Sequence, residues 1–150
     1  MPTMKIATVN VNGIRAAHRK GMAEWVSDTN PDILCLQEVR AGDGDVRKII
    51  ADLGGLVDDG GQWHLDHDEA SAKGRAGVAV ISKLPIASRS TTLGAEDFDS
   101  AGRWLETEFE IDGKKLTVVS VYVHSGEVDT PKQVEKYKFL DAMTIRMQEL

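Results

Sequence analysis

Polar residues whose side chains could handle a phosphate group stand where apolar runs end in this sequence. Asn10 and Asn12 follow one such run, Glu38 closes another, and Tyr122 and His124 close a third. Mg²⁺ takes oxygen ligands and keeps several waters, so Glu38 and the Asn10 amide would suffice beside a phosphate. A tyrosine hydroxyl can donate to a phosphate oxygen. Zinc is disfavoured, because the sequence has no Cys/His spacing of the kind that zinc sites use. The residue types therefore favour a magnesium site that binds a phosphate group.

Glu38 interrupts the pattern of the strand that precedes it. Residues 33–36 are four consecutive apolar residues after a proline and an aspartate, which predicts a short strand buried on both faces. Alternation puts Leu34, Leu36 and Glu38 on one face, so the carboxylate stands where another core residue is expected. Either Glu38 reaches water as a solvated strand end, or it meets a cation.

Histidines and basic residues supply further candidates. His124 directly follows a predicted buried strand and is a substrate-binding candidate, whereas His64 and His67 fall in a polar segment predicted to be solvent-exposed. Arg15 belongs to a basic cluster just after the first strand. With the basic residues of segment 73–75 it could form a phosphate-positioning surface, although solvated charges on an acidic protein explain the same pattern.

Apolar spacing predicts the elements that must position these side chains. Strands are expected at 5–10, 33–36, 63–66, 77–82, 86–93, 103–111 and 116–123, and helices at 16–28, from an N-cap at Asp45 to Gly54-Gly55, and from Thr130 onward. A strand–helix–strand opening followed by hairpin strands predicts an α/β fold, a two-sheet sandwich flanked by helices. The 150 residues suit a single domain.

The two later strands carry the sharpest local predictions. Alternation in 103–111 points Leu105, Thr107, Phe109 and Ile111 inward, and Trp104, Glu106, Glu108 and Glu110 outward. Asp112-Gly113 predicts a tight hairpin turn. The strand 116–123 is apolar on both faces, which predicts a central position in its sheet. An acidic loop is expected at 94–102.

The first and last helices are predicted from their apolar stripes. In 16–28 the stripe is Met22, Trp25 and Val26. The last helix should open with Pro131 and a capping box between Thr130 and Gln133. Its stripe is Val134, Tyr137, Leu140, Met143 and Met147. No stop signal precedes Leu150, so we expect the chain to stop inside its domain.

Composition narrows the class of protein. The net charge of −6 disfavours a protein that simply coats nucleic acid, but it leaves room for an enzyme with a local basic patch. The single cysteine, Cys35, has no disulfide partner in the chain and is expected to be an inert core thiol. With no predicted signal peptide or membrane span, we expect a cytoplasmic protein.

Four sequence elements together resemble the exonuclease III family of DNA-repair nucleases, to which AP endonucleases belong. They are Thr8-Val9-Asn10-Val11-Asn12-Gly13-Ile14-Arg15-Ala16, Leu36-Gln37-Glu38, Gly77-Val78-Ala79 and Val121-Tyr122. Leu-Gln-Glu alone is similar to the wider endonuclease/exonuclease/phosphatase superfamily. The Asn-x-Asn-Gly-Ile-Arg-Ala element narrows the resemblance to the exonuclease III family.

The resemblance implies a role for each matching residue. Glu38 would be a ligand of Mg²⁺, with Mn²⁺ as an alternative, and Asn10 an active-site amide close to it. Asn12 matches a position beside the metal, and Tyr122 matches a tyrosine that contacts the scissile phosphate. The implied reaction is phosphodiester hydrolysis in double-stranded DNA, 5′ to an abasic site or from a 3′ end, by a protein that is monomeric when complete.

The sequence departs from the family pattern in ways that leave other functions open. The family's Gly-Asp-x-Asn and Ser-Asp-His elements have no counterpart here, so the resemblance covers the whole chain but only about the first half of the family fold. We therefore expect 1–150 to be the N-terminal part of one nuclease domain and to be inactive alone. Val9 replaces a usual aromatic residue, and segment 124–127 replaces a proline-containing loop. The alternatives are a phosphoesterase acting on a non-DNA substrate and a non-catalytic nucleic-acid-binding fragment.

Overall fold

A four-stranded sheet carries the first half of the chain in the computed structural model, which describes residues 3–94, 98–99 and 101–150. Its strands are β1 (Ile6–Asn10), β2 (Ile33–Gln37), β3 (His64–Asp68) and β4 (Val78–Ser82), in the order β1-β2-β4-β3. β1 pairs with β2 in parallel, and the other pairs are antiparallel. Helices α1 (Ile14–Arg19), α2 (Met22–Thr29) and α3 (Asp43–Ala51) accompany it.

A second, three-stranded sheet is antiparallel throughout. It consists of β5 (Ser88–Ser90), β6 (Trp104–Ile111) and β7 (Lys114–Val121) in that order, and helix α4 (Pro131–Glu149) follows. Among the described residues, no helix is both long enough and apolar enough to cross a membrane.

Three apolar clusters define the layers. One face of the first sheet packs against α1, α2 and α3 through residues such as Leu34 and Leu36. Its other face, with Ile33 and Cys35, packs against Leu105 and Phe109 of the second sheet. Phe139 of α4 packs against the outer face of that sheet. The predicted two-sheet sandwich flanked by helices is confirmed.

The predicted helix 16–28 is instead two helices, α1 and α2. The chain turns at Lys20 and Gly21, and Gly21 has a left-handed backbone (φ 105°) that side chains disfavour. Met22 and Val26 are buried as predicted, but Trp25 is exposed. The whole predicted stripe lies within α2, and only two of its three residues face the core.

Helix α3 buries apolar residues at helical spacing but begins earlier than predicted. Gly42, in an extended conformation, is the N-cap, so Asp45 lies inside the helix and does not cap it. Val46, Ile49 and Ile50 are buried in α3, and Gly54 and Gly55 follow with positive φ, as the predicted stop requires.

Strand β3 is longer than predicted and β5 is shorter. His67, predicted to be solvent-exposed, pairs with Ala79 of β4, and its side chain is 1% exposed. Pairing with β4 therefore extends the strand through residues whose polarity indicates a loop. Only Ser88–Ser90 of the predicted strand 86–93 pairs with β6.

The outer face of β6 is covered where the sequence predicts exposure. Leu105, Thr107 and Phe109 are buried as predicted, but Trp104 and Glu106 are also buried. Phe139 of α4 packs against Trp104, and Arg146 of α4 binds Glu106. Helix α4, which begins 25 residues after Glu106, covers this face.

Strand β6, and not β7, is central in the second sheet. Within the described ranges β7 pairs with β6 alone, and its apolar outer residues Val119 and Val121 pack in the cluster of α4. The hairpin between them is confirmed, because Asp112 and Gly113 both have positive φ (52° and 77°). The predicted acidic loop 94–102 falls partly on residues 95–97 and 100, which lie outside the described residues.

Helix α4 starts at Pro131 as predicted, but its cap and its stripe differ. The Thr130 hydroxyl donates to the Glu127 carbonyl (2.8 Å) and does not form the predicted capping box. Val134, Tyr137 and Met147 of the predicted stripe are exposed. Phe139 is the buried anchor, because the helix lies on the sheet along a different face.

Candidate active site

Glu38 lies directly after β2, in a left-handed backbone conformation (φ 51°). One carboxylate oxygen, Oε1, accepts a hydrogen bond from Asn10 Nδ2 (2.9 Å), and Oε2 accepts one from Arg40 Nη2 (2.7 Å). The positive φ ends the alternation of the strand. The carboxylate therefore faces Asn10, and the prediction that Glu38 shares a face with Leu34 and Leu36 is wrong.

The backbone around Glu38 is held from two sides. Its carbonyl accepts from the Gly13 N–H (2.7 Å), and the Arg40 N–H donates to the Ala76 carbonyl (2.8 Å). Gly77, with φ 94°, lies so close that an added Cβ would be 3.4 Å from the Val39 Cβ. The loops after β1 and before β4 thus fix the position of the carboxylate.

Asn10 is oriented by its neighbour Asn12. Asn10 Oδ1 accepts from the Asn12 backbone N–H (3.0 Å), which turns Nδ2 toward Glu38. Asn12 itself has a left-handed backbone (φ 47°), a conformation that asparagine tolerates. The predicted Asn-x-Asn pair therefore works as a unit, in which one residue orients the amide of the other.

The pKa of Glu38 is lowered from its ordinary value. The hydrogen bond from Asn10 is the largest cause; burial opposes it, and Tyr122 and Arg40 add to the lowering. These contacts favour the ionised form. Glu38 is therefore a carboxylate at neutral pH, ready to bind a cation.

Removing the Asn10 amide should raise the pKa of Glu38 toward its ordinary value. A lowered pKa contributes stability above the ordinary value that is lost as pH falls through the folded-state pKa. Asn10→Ala should therefore cost about 1.5–3 kcal/mol at neutral pH, and less in acid. Carboxyl ¹³C NMR titration measures the pKa of Glu38, and urea unfolding measures the loss of stability. The Glu106 titration should not move, and an unchanged Glu38 titration would contradict the assignment.

A basic cavity of about 720 Å³ opens beside Glu38. The charged and aromatic side chains that line it are Arg40, Arg75, Arg103, Tyr122, His124, Lys132 and one carboxylate, Glu135. The Arg103 guanidinium lies 4.8 Å from the Tyr122 ring centroid, and its Nη1 donates to the Tyr122 carbonyl (3.3 Å). Tyr122 is thereby fixed between the carboxylate and the cationic wall. Such a cavity is suited to an anion.

His124 lines this cavity as a neutral ring. Its Nδ1 is buried without a hydrogen-bond partner among the described residues, and its ring makes edge-to-face contacts with Phe98 (5.5 Å) and Phe139 (5.0 Å). Burial, and then the charge of Arg103, lower the pKa of His124, although Glu135 opposes them. The aromatic contacts place the imidazole at the cavity without adding charge to it.

Arg15 lies in a neighbouring cavity of about 420 Å³, which Arg40, Lys73 and Arg75 also line. Its Nη1 is 3.5 Å from Asp45 Oδ2, and the guanidinium is mostly exposed. The structure therefore brings Arg15 of the predicted basic cluster together with Lys73 and Arg75, and Arg40 connects the two cavities.

Gln37, Arg40 and Arg103 are site residues that sequence reasoning missed. Gln37 Nε2 donates to Thr8 Oγ1 (2.9 Å) and to Ser120 Oγ (3.1 Å), which ties the two sheets together directly behind Glu38. A polar residue ending an apolar strand was the available signal for Gln37. Arg103 carries no such signal, because tertiary packing brings it beside Tyr122, whereas Arg40 lies only two residues from Glu38 and this closeness in sequence was its available signal.

The donor set fits a cation that keeps most of its waters. No group of three His, Cys, Asp or Glu in the described part of the chain could hold a metal ion. Glu38 is an ionised carboxylate, and the Asn10 amide lies within hydrogen-bonding distance of it. Mg²⁺ is commonly held by one or two carboxylates together with substrate phosphates, whereas structural zinc needs four protein ligands.

The layered fold and the strand-end carboxylate beside a cationic cavity define an α/β sandwich of the nuclease and phosphatase type. The chain belongs to the Endonuclease/Exonuclease/phosphatase family, which it matches over residues 7–147.

Known proteins that resemble the chain are larger. It superposes on an AP endonuclease from Archaeoglobus fulgidus with a TM-score of 0.78 and 28% identity, over 98% of this chain and 52% of that chain. It is 32% identical to the DNA repair nuclease APEX1 of Danio rerio over 71% of this chain and 33% of that protein. It is 33% identical to an exodeoxyribonuclease of Bacillus subtilis (strain 168) over 79% of this chain and 42% of that protein. The chain thus spans about half the length of the solved structure and less of these curated relatives.

Proposed function

We propose that this chain supplies part of the active site of a DNA-repair nuclease that hydrolyses phosphodiester bonds with the help of Mg²⁺. The observation that carries the proposal is the ionised Glu38, bonded to Asn10 and next to a cavity lined by arginines. The relatives named as an AP endonuclease and an exodeoxyribonuclease support DNA as the substrate. The substrate class is double-stranded DNA with an abasic site or a 3′ end.

Each candidate residue takes a role in this reaction. Glu38 would bind Mg²⁺, or Mn²⁺ in its place, and Asn10, whose Nδ2 faces the carboxylate, would hold Glu38 in position for the metal. The bound metal would stabilise negative charge on the phosphate. The Tyr122 hydroxyl would donate to a phosphate oxygen, as a preorganised donor beside developing charge. Arg103 holds the tyrosine ring in place.

The remaining candidates would bind the rest of the substrate. Arg15 would contact the DNA backbone from the second cavity, and Asn12 would keep the Asn10 amide oriented. His124 would present an uncharged ring to the substrate from the wall of the basic cavity. Phosphate contacts of this kind position the duplex and carry no sequence preference.

Turnover needs a group that activates water, and Glu38 is committed to other contacts. The chain covers 52% of the AP endonuclease on which it superposes, so that relative has residues beyond the matched part. We therefore propose that residues 1–150 are the N-terminal part of a nuclease domain and that they bind without turnover when isolated.

The cellular setting follows from the same interpretation. We propose a cytoplasmic protein that acts as a monomer when complete.

Cys35 is buried, and burial raises the pKa of its thiol to about 11, so it stays protonated and does not act as a nucleophile.

Incision of a duplex with one abasic site tests the proposal. The native protein is isolated from its own source and its intact mass is measured. It should cleave this duplex when Mg²⁺ is added and stop when the metal is chelated. The 150-residue chain should not cleave it. Cleavage of a phosphoinositide or another non-DNA phosphoester in place of the duplex would assign the non-DNA function. Turnover by the isolated 150-residue chain would contradict the proposal that it supplies only part of the active site.

A further inference from the structure

Arg40 is shared between the candidate metal site and the basic cavity. Its Nη2 lies 2.7 Å from Glu38 Oε2, and the same side chain lines both the 720 Å³ cavity and the 420 Å³ cavity. The Arg40 side chain is 44% exposed, whereas the Glu38 side chain is 15% exposed. Arg40 is therefore the more exposed partner of a nearly buried carboxylate.

The backbone of Arg40 cannot move with its side chain. Its N–H donates to the Ala76 carbonyl (2.8 Å), and the preceding Val39 N–H donates to the Gly77 carbonyl (3.0 Å). Val39 is fully buried, and its carbonyl accepts from the Ile14 N–H (2.9 Å). Any change of partner by Arg40 is consequently a rotation of its long side chain about a fixed point.

Pairing with Arg40 uses the charge that a metal ion would use. A divalent cation on Glu38 would lie within a few ångströms of the guanidinium, and like charges at that distance repel strongly. The cavity offers little relief while no anion is bound, because Arg75, Arg103 and Lys132 also line it and Glu135 is the one carboxylate in its described lining. An anion in the cavity changes this balance, since it gives Arg40 a second partner of opposite charge.

We propose that Arg40 exchanges Glu38 for a phosphodiester in the basic cavity, so that a metal ion at Glu38 and the phosphodiester strengthen each other's binding. The proposal rests on the proposed function in one respect, the placing of a divalent cation at Glu38. Linkage makes the coupling reciprocal, so each ligand must raise the affinity of the other by the same factor. Arg40 is a positioning residue in this scheme and couples the two sites.

The coupling can be measured without catalysis. Mg²⁺ is titrated into the 150-residue chain with and without dimethyl phosphate, a minimal phosphodiester, and followed by NMR at the Arg40 Nε–H and the backbone amides of the site. We expect dimethyl phosphate to raise the Mg²⁺ affinity by about 5-fold or more, within the usual range of coupled sites. In Arg40→Ala the coupling should weaken, leaving only the part that direct contact between metal and phosphate supplies, and Mg²⁺ alone should bind more tightly than in the wild type. Arg40→Lys, which keeps the charge, should retain part of the coupling.

Arg47→Ala is the matched control, since it removes an arginine–carboxylate pair of the same 2.7 Å length, to Asp43, outside both cavities. It should leave the coupling intact. Independent binding in the wild type, coupling of undiminished size in Arg40→Ala, or no measurable Mg²⁺ binding with both ligands present would overturn the proposal. Coupling can be lost while native incision remains, which separates this failure from failure of the proposed function. An unchanged Mg²⁺ affinity in Glu38→Gln would instead contradict the metal site on which both depend.

Discussion

Replacing Glu38 by glutamine should lower magnesium-dependent incision of abasic DNA by the native protein by on the order of 100-fold or more. Glutamine keeps the shape of the side chain and can still meet Asn10, but it removes the negative charge that the metal needs. Metal stabilisation of a phosphate in the transition state is worth several kcal/mol, and each 1.4 kcal/mol corresponds to a factor of ten in rate. Single-turnover cleavage at several Mg²⁺ concentrations measures the loss.

Saturating Mg²⁺ should not restore incision in Glu38→Gln, because the charge at Glu38 acts in catalysis as well as in metal binding. Glu110→Gln is the control, because it removes one exposed carboxylate from β6 and should leave incision within about twofold of the wild type, in line with the small effects usual at such surface sites. Unaltered incision in Glu38→Gln would refute Glu38 as the metal-binding carboxylate.

Arg146→Met should destabilise the fold by about 3–5 kcal/mol, the usual cost of leaving a buried charge without its partner. Arg146 binds both carboxylate oxygens of Glu106 (2.6 and 2.7 Å), and the Glu106 side chain is 6% exposed. The Trp104 indole N–H also donates to it (2.7 Å). Urea unfolding at neutral pH measures the cost. Adding Glu106→Gln to Arg146→Met should recover much of the loss, because no charge then remains buried.

The exposed pair Arg47–Asp43 calibrates this result. Arg47 Nε lies 2.7 Å from Asp43 Oδ2, which is a good ion-pair distance, yet both side chains are about half exposed. Arg47→Met should therefore lower the free energy of unfolding by less than about 1 kcal/mol. Equal costs for the two arginines would contradict the role assigned to burial.

The Arg146–Glu106 pair should make the free energy of unfolding depend on pH in the acid range. Burial on its own would raise the pKa of Glu106, but the hydrogen bonds from Arg146 and Trp104 outweigh it and the pKa is lowered. A lowered pKa means that the contribution is complete above the ordinary glutamate value and is lost as pH falls through the folded-state value. Arg146→Met should therefore flatten the acid limb of stability measured by urea unfolding against pH.

Local sequence signals were sufficient for the strand that carries the site. The four apolar residues of β2 predicted a strand buried on both faces, and the Asp112-Gly113 turn predicted the hairpin. Polar residues at strand ends identified Asn10 and Glu38, which the structure places in hydrogen-bonding contact. These features depend on neighbours in sequence, so a single chain reveals them.

Features created by distant segments could not be predicted. Whether Glu106 faces water depends on α4, which begins only at Pro131, and whether His67 is buried depends on pairing with β4. The direction of the Glu38 carboxylate depends on one backbone dihedral angle that its sequence neighbours do not determine. Arg103 looks like an ordinary surface charge until packing brings it beside Tyr122.

The concentration of arginines around one cavity has a consequence for how the molecule meets a polyanion. The whole chain carries −6, while the cavity wall gathers Arg40, Arg75, Arg103 and Lys132. Most of the surface therefore repels an approaching polyanion and one opening attracts it, which selects the orientation of each encounter before contact. Association should be fast in dilute salt and slow steeply as ions screen the attraction beyond about 10 Å.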